Sequence, residues 1–130
     1  MEKGIIKLNP ELMALIHGNG GKDILPFKQE IFLINDYVAG TGYSKRIGEV
    51  IEFLEIGTSL TLRRHPENEV DEYAIGIYFK DIRIGWVPMK DNLVIARLMD
   101  AGKIFTCKIV HIDISNEDWP RIDVNIFMVD

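Results

Sequence analysis

From residue 30 onward, short apolar stretches separated by turn residues predict a series of β-strands. Residues 31–39 form a nearly continuous apolar run with several β-branched side chains, which is typical of a buried strand. Polar and apolar residues alternate through Ser59–Arg63, so Leu60 and Leu62 share one face. Further strands are predicted over residues 73–79, 82–87, 103–114 and 121–128, with a tight turn at Lys80 and Asp81 joining the first two of them.

Two stretches between these strands have helical spacing. Apolar residues at positions 47, 50, 51 and 54, with glutamates on the other faces, predict a short amphipathic helix that ends at Gly57. Pro88 is placed to begin a second helix, which the Ala101–Gly102 pair ends. The order of elements is not an alternation of strand and helix, so we expect a mainly antiparallel sheet curled into a small barrel of about six strands.

The first residues of the chain predict a separate helix. Asn9 is suited to cap it and Pro10 to occupy its first position, and the glycine-rich stretch at residues 18–21 ends it. We therefore expect an N-terminal helical appendage over residues 1–22 and a main domain over residues 23–130.

Composition adds limits on the class of protein. The 130 residues are 47% hydrophobic and 27% charged, as expected for one domain with one core. Cys107 is the single cysteine, so an intramolecular disulfide is excluded, and no signal-peptide pattern or long apolar segment occurs. A cytoplasmic protein without membrane association is the expectation.

The distribution of charge is more informative than its sum. The formal net charge of −5 argues against a protein that coats nucleic acid non-specifically. Residues 111–130, however, carry one positive and five negative charges, whereas residues 38–66 carry four positive and three negative charges. A local contact with a few phosphates therefore remains compatible with the sequence.

No catalytic motif is found. The chain has no G-x-S-x-G, H-E-x-x-H or C-x-x-C sequence, and its three histidines lie in three different predicted elements, so we expect neither an enzyme nor a metal or other cofactor. Gly40-Thr41-Gly42 lacks the lysine of a phosphate-binding loop and is interpreted as a turn. His65 lies near Asp71 in sequence, but no nucleophile accompanies them, which disfavours a hydrolase.

The segment from Arg63 to Asp71 stands out from this background. Arg63 and Arg64 end a strand, a proline-containing loop follows, and Asn68 precedes Asp71 by three residues. Arginine can bind a phosphate through two hydrogen bonds, and the Asn and Asp side chains can bind sugar hydroxyls. The alternative is a structural turn in which Asn68 and Asp71 bind only their own backbone and the arginines are solvated.

This segment and its surroundings resemble the HIRAN domain, the module of the helicase-like transcription factor and related SWI2/SNF2 DNA-repair proteins. The matching pieces occur in family order and span about residues 31–128. They are Val38-Ala39-Gly40-Thr41-Gly42-Tyr43, Gly57 to Arg64, Pro66-Glu67-Asn68-Glu69-Val70-Asp71 with Ala74-Ile75, and Ile84-Gly85-Trp86-Val87-Pro88.

The resemblance implies an OB-like barrel that binds single-stranded DNA and, in some members, its free 3′-hydroxyl end. By position, Tyr43 matches the aromatic residue that stacks on a terminal base, and Asp71 matches the acid that binds the 3′-hydroxyl. Asn68 matches a polar residue of the same pocket, and Arg64 matches the arginine at the strand end. These four residues are thus expected to converge in one pocket.

Two positions differ from the end-binding members. Gly42 stands where those members have an arginine, and Val70 stands where they have a second stacking aromatic residue. The remaining candidates for nucleic-acid contact are Lys45, Arg46, Arg63, His65 and Lys90.

The sequence therefore favours a nucleic-acid-binding module that acts on single-stranded DNA or DNA ends in replication or repair. A helicase or another repair protein is the protein partner that the resemblance implies. The alternative is a protein-interaction module that has kept the barrel without the DNA-end pocket, an interpretation favoured by Val70 and by the negative net charge.

Overall fold

The computed structural model describes residues 29–130, in which six β-strands form one antiparallel sheet. The strand order is β1-β6-β5-β2-β3-β4. The strands are β1 (Glu30–Tyr37), β2 (Ser59–Arg64), β3 (Ile75–Phe79), β4 (Ile82–Trp86), β5 (Ile104–Asp113) and β6 (Arg121–Val129). The mainly β fold and the six antiparallel strands agree with the sequence.

One α-helix, α1 (Met89–Asp100), connects β4 to β5. It begins directly after Pro88, and it ends where Gly102 adopts a positive φ of 95° and donates its N–H to the Met99 carbonyl. Glycine adopts this left-handed conformation without steric cost, which explains the helix end read from the sequence. Ile95 and Ala96 face the sheet and are buried.

Alternation along the strands builds the core. Leu60 and Leu62 of β2 point inward, as the sequence predicts, beside Ile77 of β3 and Ile84 of β4. Each such fully buried branched side chain stabilises the fold by roughly 1.5 to 3 kcal/mol. The remaining buried apolar side chains of the cluster are Val38, Ile47, Val50, Leu54, Ile75, Val87, Ile95, Ala96, Cys107, Ile109, Ile122, Val124 and Ile126.

The predicted helix over residues 47–54 is wrong in type. Two 3₁₀ turns, Ile47–Glu49 and Ile51–Phe53, replace it, because the backbone leaves helical geometry at Val50, where φ is −121°. Ile47 and Val50 are both buried, and their spacing of three residues suits a 3₁₀ turn as well as an α-helix.

The prediction that residues 31–39 form a buried strand is only partly correct. β1 forms, but among residues 29–130 it pairs with β6 alone and lies at the edge of the sheet, where Ile31, Phe32 and Tyr37 are exposed. Only Val38, beyond the end of β1, is buried.

The sheet is not closed into the barrel that we expected. Within the described residues, β1 and β4 are its two edges. A single bridge joins Ala39, just after β1, to Trp86 of β4, with hydrogen bonds of 2.8 and 2.9 Å. Gly85 permits this approach, since a Cβ there would lie 2.5 Å from the Ala39 carbonyl oxygen. The chain after β1 is thereby held against the end of β4.

The helix predicted near the N-terminus lies outside the described residues. Among residues 29–130, no helix has the length and apolar character needed to cross a bilayer.

Candidate functional site

A cavity of about 310 Å³ opens where the loop before β3 meets the start of α1. We call it the main pocket. Its walls are mostly apolar, and three polar side chains contribute to them. The lining residues are Ala39, Gly40, Asn68, Val70, Asp71, Ala74, Trp86, Val87, Met89 and Asn92.

Asn68 and Asp71 shape the loop through local hydrogen bonds. The Asn68 Oδ1 accepts the backbone N–H groups of Val70 and Asp71, at 2.9 and 3.0 Å. The Asp71 Oδ1 accepts the N–H of Tyr73 at 2.9 Å. These contacts form the turn that was the alternative to a binding role, in which Asn68 and Asp71 bind nearby backbone groups. They also hold the Asp71 carboxylate in one orientation at the pocket wall.

Asn92 of α1 completes the polar part of the main pocket. Its side chain is buried, and its Nδ2 donates to the second Asp71 oxygen at 2.7 Å. A carboxylate can accept about four hydrogen bonds, and this one accepts two from residues 29–130, which leaves capacity to accept one from a ligand. Asn92 was not predicted from the sequence, where its one signal is an amide three and four residues before the buried Ile95 and Ala96, and so on the same face of α1.

Arg64 does not line the main pocket. Its guanidinium forms a fork with Asp100 at the end of α1, at 2.9 and 3.2 Å, and donates to the Ala74 carbonyl at 2.9 Å. Only 13% of the side chain is exposed. Arg64 therefore ties the end of β2 to α1 and to the start of β3.

Tyr43 lies outside the main pocket, in a neighbouring cleft. We call this site the basic cleft, because three of its lining residues are cations. The lining residues are Tyr43, Ser44, Lys45, Arg46, Tyr78, Asp81, Ile82 and Arg83. Tyr43 is 77% exposed. Its backbone N–H donates to the carbonyl of Gly40, a residue that lines the main pocket. The four residues expected in one pocket are thus divided, with Asn68 and Asp71 in the main pocket, Tyr43 in the cleft and Arg64 in neither.

Two of the predicted basic residues line the cleft. Arg46 forms a forked pair with Glu49 at 2.9 and 3.0 Å, and this pairing raises the pKa of Arg46 and lowers that of Glu49. Lys45 is exposed and has no carboxylate within 4 Å among residues 29–130.

An irregularity in β4 places a third cation between the two sites. Tyr78 pairs with Arg83 and Ile77 pairs with Gly85, so Ile84 is an extra residue in the ladder. Arg83 and Trp86, three residues apart, therefore lie on the same face, and the guanidinium lies 4.5 Å from the centroid of the indole. Arg83 was not among the predicted site residues, because strand alternation does not reveal a bulge.

Arg63, in β2, and His65, just after it, both contact Tyr78 of β3. The Arg63 guanidinium lies 4.3 Å from the ring centroid of Tyr78 and 3.4 Å from the Asp81 carboxylate. The His65 Nε2 lies 2.7 Å from the Tyr78 hydroxyl, and its Nδ1 lies 3.3 Å from Glu67. His65 therefore contributes to a packed aromatic group, and Arg63 lies above it at the surface.

Lys90 lies beside a pair of carboxyl groups at the start of α1. Its Nζ is 2.9 Å from Asp36 and 3.8 Å from Asp91. The hydrogen bond with Asp36, followed by burial, raises the pKa of Asp91. Burial opposes ionisation of Asp36, but hydrogen bonds from Asp91, Lys90 and the Tyr37 N–H outweigh it and lower its pKa. The Lys90 ammonium is thus paired with a carboxylate.

The described part of the chain contains no group of three His, Cys, Asp or Glu side chains arranged to hold a metal ion. Cys107 is buried, and burial raises its thiol pKa to about 12, so it stays protonated at neutral pH.

These features define a small antiparallel β domain with two adjacent surface sites that are suited to binding. The model of the HIRAN domain family matches residues 31–129, and the chain belongs to this family of nucleic-acid-binding modules.

Two solved structures share the fold. A protein from Lactobacillus plantarum superposes with a TM-score of 0.71 at 20% identity, covering 79% of this chain and 98% of that chain. The HIRAN domain of human HLTF superposes with a TM-score of 0.61 at 14% identity, covering 77% of this chain and 78% of that chain. A search of curated proteins gave no match.

Proposed function

We propose that this domain binds single-stranded DNA and recognises a free 3′-hydroxyl end in the main pocket, in replication or repair. The observation that carries the proposal is the Asp71 carboxylate, held by the Tyr73 N–H and the Asn92 amide at the wall of a largely apolar cavity.

This arrangement suits a terminal nucleotide for two reasons. A fixed carboxylate accepts a hydrogen bond from a hydroxyl and repels a phosphate at the same position. The apolar walls, including Trp86 and Met89, offer surface to a base or sugar. Tyr43, exposed at the neighbouring turn, supplies an aromatic face for stacking.

The experiment compares two labelled oligonucleotides of one sequence, ending in a 3′-hydroxyl or a 3′-phosphate, by fluorescence anisotropy. The native chain is expected to bind the hydroxyl end at least tenfold more tightly. Asp71→Asn removes the charge and should abolish this preference. Glu72→Gln, which removes an equal charge from the exposed neighbouring position, should keep it. Equal affinity of the native chain for both ends would exclude end recognition.

A second candidate function is a protein-interaction module. Val70 and Met89 are 86% and 67% exposed at the rim of the main pocket. Leu93 and Val94, which follow Met89 closely in α1, are exposed as well. Exposed apolar side chains in such a group are typical of protein contacts. Capture from lysate after nuclease treatment separates the two functions, since a partner held through DNA would be lost.

A further inference from the structure

Trp119 lies against the turn that carries Tyr43, although the two residues are far apart in sequence. A Cβ on Gly42 would lie within 2.0 to 2.4 Å of three atoms of the indole six-membered ring, so the indole rests on the glycine backbone. The Tyr43 ring meets Trp119 edge to face, with centroids 5.0 Å apart. The two rings form one aromatic surface, of which Tyr43 is 77% and Trp119 is 49% exposed.

The loop that carries Trp119 is fixed to this turn. The buried Thr41 hydroxyl donates to the Pro120 carbonyl at 2.6 Å. Glycine at position 42 is therefore a packing requirement, because any side chain there would displace the indole.

The basic cleft continues from this aromatic pair. It encloses about 370 Å³, and the Ser44 hydroxyl donates to the Arg83 carbonyl at 2.6 Å, which fixes the turn to β4. Lys45 and Arg83 have no carboxylate within 4 Å among the described residues. Asp81 is the acidic residue of the cleft, and it pairs with Arg63.

The cleft and the main pocket are contiguous at two points. Arg83 of the cleft covers Trp86 of the main pocket, and the Tyr43 N–H binds the carbonyl of Gly40. A ligand that leaves the main pocket over Trp86 reaches the Arg83 guanidinium, and one that leaves past Gly40 reaches Tyr43.

We propose that the Tyr43–Trp119 pair and the basic cleft bind the internal nucleotides of a single strand, with bases against the rings and phosphates on Lys45 and Arg83. The inference rests on the proposed function in taking single-stranded nucleic acid as the ligand. It adds a site that needs no free end. Stacking on aromatic rings tolerates any base, and exposed cations contribute affinity that falls with salt.

The experiment uses an oligonucleotide of ten nucleotides with a 3′-phosphate, which the proposed main-pocket site rejects. The native chain is expected to bind it with salt-dependent affinity. Lys45→Ala with Arg83→Gln should weaken this binding at least tenfold, and it should reduce the slope of log affinity against log salt by roughly 1.4, which is two phosphate contacts on a single strand. Trp119→Ala should weaken binding with less change in that slope.

Two control variants separate the sites. Lys103→Ala with Lys108→Ala removes the same charge from exposed positions outside the cleft and should leave affinity within threefold. Glu72→Gln, at an exposed position that lines neither site, should leave binding of the blocked oligonucleotide within twofold.

The outcomes distinguish this inference from the proposed function. The inference is overturned if the native chain does not bind the blocked oligonucleotide, or if the Lys45 and Arg83 variant binds it as tightly as the native chain. End recognition fails alone if the native chain binds both ends equally and the cleft variant weakens both. A native chain that binds neither oligonucleotide overturns both and leaves the protein-interaction function.

Discussion

The main pocket and the basic cleft are adjacent, but their polar groups are organised differently. In the main pocket, Asn68, Asp71 and Asn92 hydrogen-bond to the chain and to one another, so their positions are set before any ligand arrives. In the cleft, Lys45 is an exposed side chain without a carboxylate partner among residues 29–130. The first arrangement suits discrimination between chemical groups, and the second suits charge-driven affinity.

The two sites share one support, which is the close contact between β4 and the chain after β1. The largest expected effect comes from breaking it. Gly85→Ala would place a Cβ 2.4 Å from Val38 and 2.5 Å from the Ala39 oxygen, and such overpacking costs about 1 to 3 kcal/mol. The free energy of unfolding, measured with urea, should fall by that amount.

Gly48→Ala is the matched control for this loss. Gly48 has no atom within 4 Å of its would-be Cβ, so its replacement should leave stability unchanged or slightly higher. If Gly85→Ala were as stable as Gly48→Ala, the two sites would not depend on the β1 to β4 contact.

Arg64 matches the arginine that HIRAN domains have at the end of this strand, and a substitution can show whether it acts in folding or in binding. Arg64→Gln loses the charged hydrogen bond to the Ala74 carbonyl, which should lower stability by about 1 to 2 kcal/mol, and DNA affinity should change little. Urea unfolding and anisotropy report the two quantities separately. Native stability with tenfold weaker binding would assign Arg64 to the ligand instead.

Val70 tests how far the main pocket depends on apolar contact alone. Val70→Tyr places an aromatic ring at an 86% exposed rim position, and one stacking contact of about 1 to 3 kcal/mol would tighten DNA binding roughly tenfold. Glu69→Tyr, at the exposed preceding position, should not tighten it. Equal gains from both variants would point to non-specific stacking on the loop.

The smallest expected effect concerns the Asp36 and Asp91 carboxyl pair at the start of α1. Because the pKa of Asp91 is raised in the folded chain above its ordinary value of 3.8, the folded state binds that proton more tightly than the unfolded state. Stability is therefore lost as pH rises from 3.8 through the raised pKa, and Asp91→Asn should remove this loss.

The variant should be more stable than the native chain at pH 7, by less than about 1 kcal/mol, and the difference should shrink as pH falls toward 4. Asp113→Asn gives the opposite sign, because hydrogen bonds from Ser115 lower the pKa of Asp113 and stabilise its charged form. A difference at pH 7 that persists unchanged at pH 4 would contradict the assignment for Asp91.

Most strands and the end of α1 could be predicted because their signals are local. Alternation gave β2 and its inward leucines, and Lys80 with Asp81 forms the tight turn between β3 and β4. The same local rules failed at residues 47–54, where a spacing of three residues fits an α-helix and a 3₁₀ turn alike.

The candidate site was less predictable because its contacts join distant parts of the chain. Asn68 and Asp71 lie three residues apart in one turn, so their shared pocket followed from the motif. The fork between Arg64 and Asp100 depends on where α1 ends relative to β2, which spacing along the sequence does not encode.

The sequence by itself determined a mainly β domain, its strand and turn positions and its membership of the HIRAN family, because hydrophobic period and motif order are properties of neighbouring residues. The tertiary structure alone decided which side chains meet. The extra residue Ile84 turned Arg83 onto Trp86, and packing brought Trp119 onto Gly42. Such contacts arise from sheet register and close packing, which are fixed only when the whole chain folds.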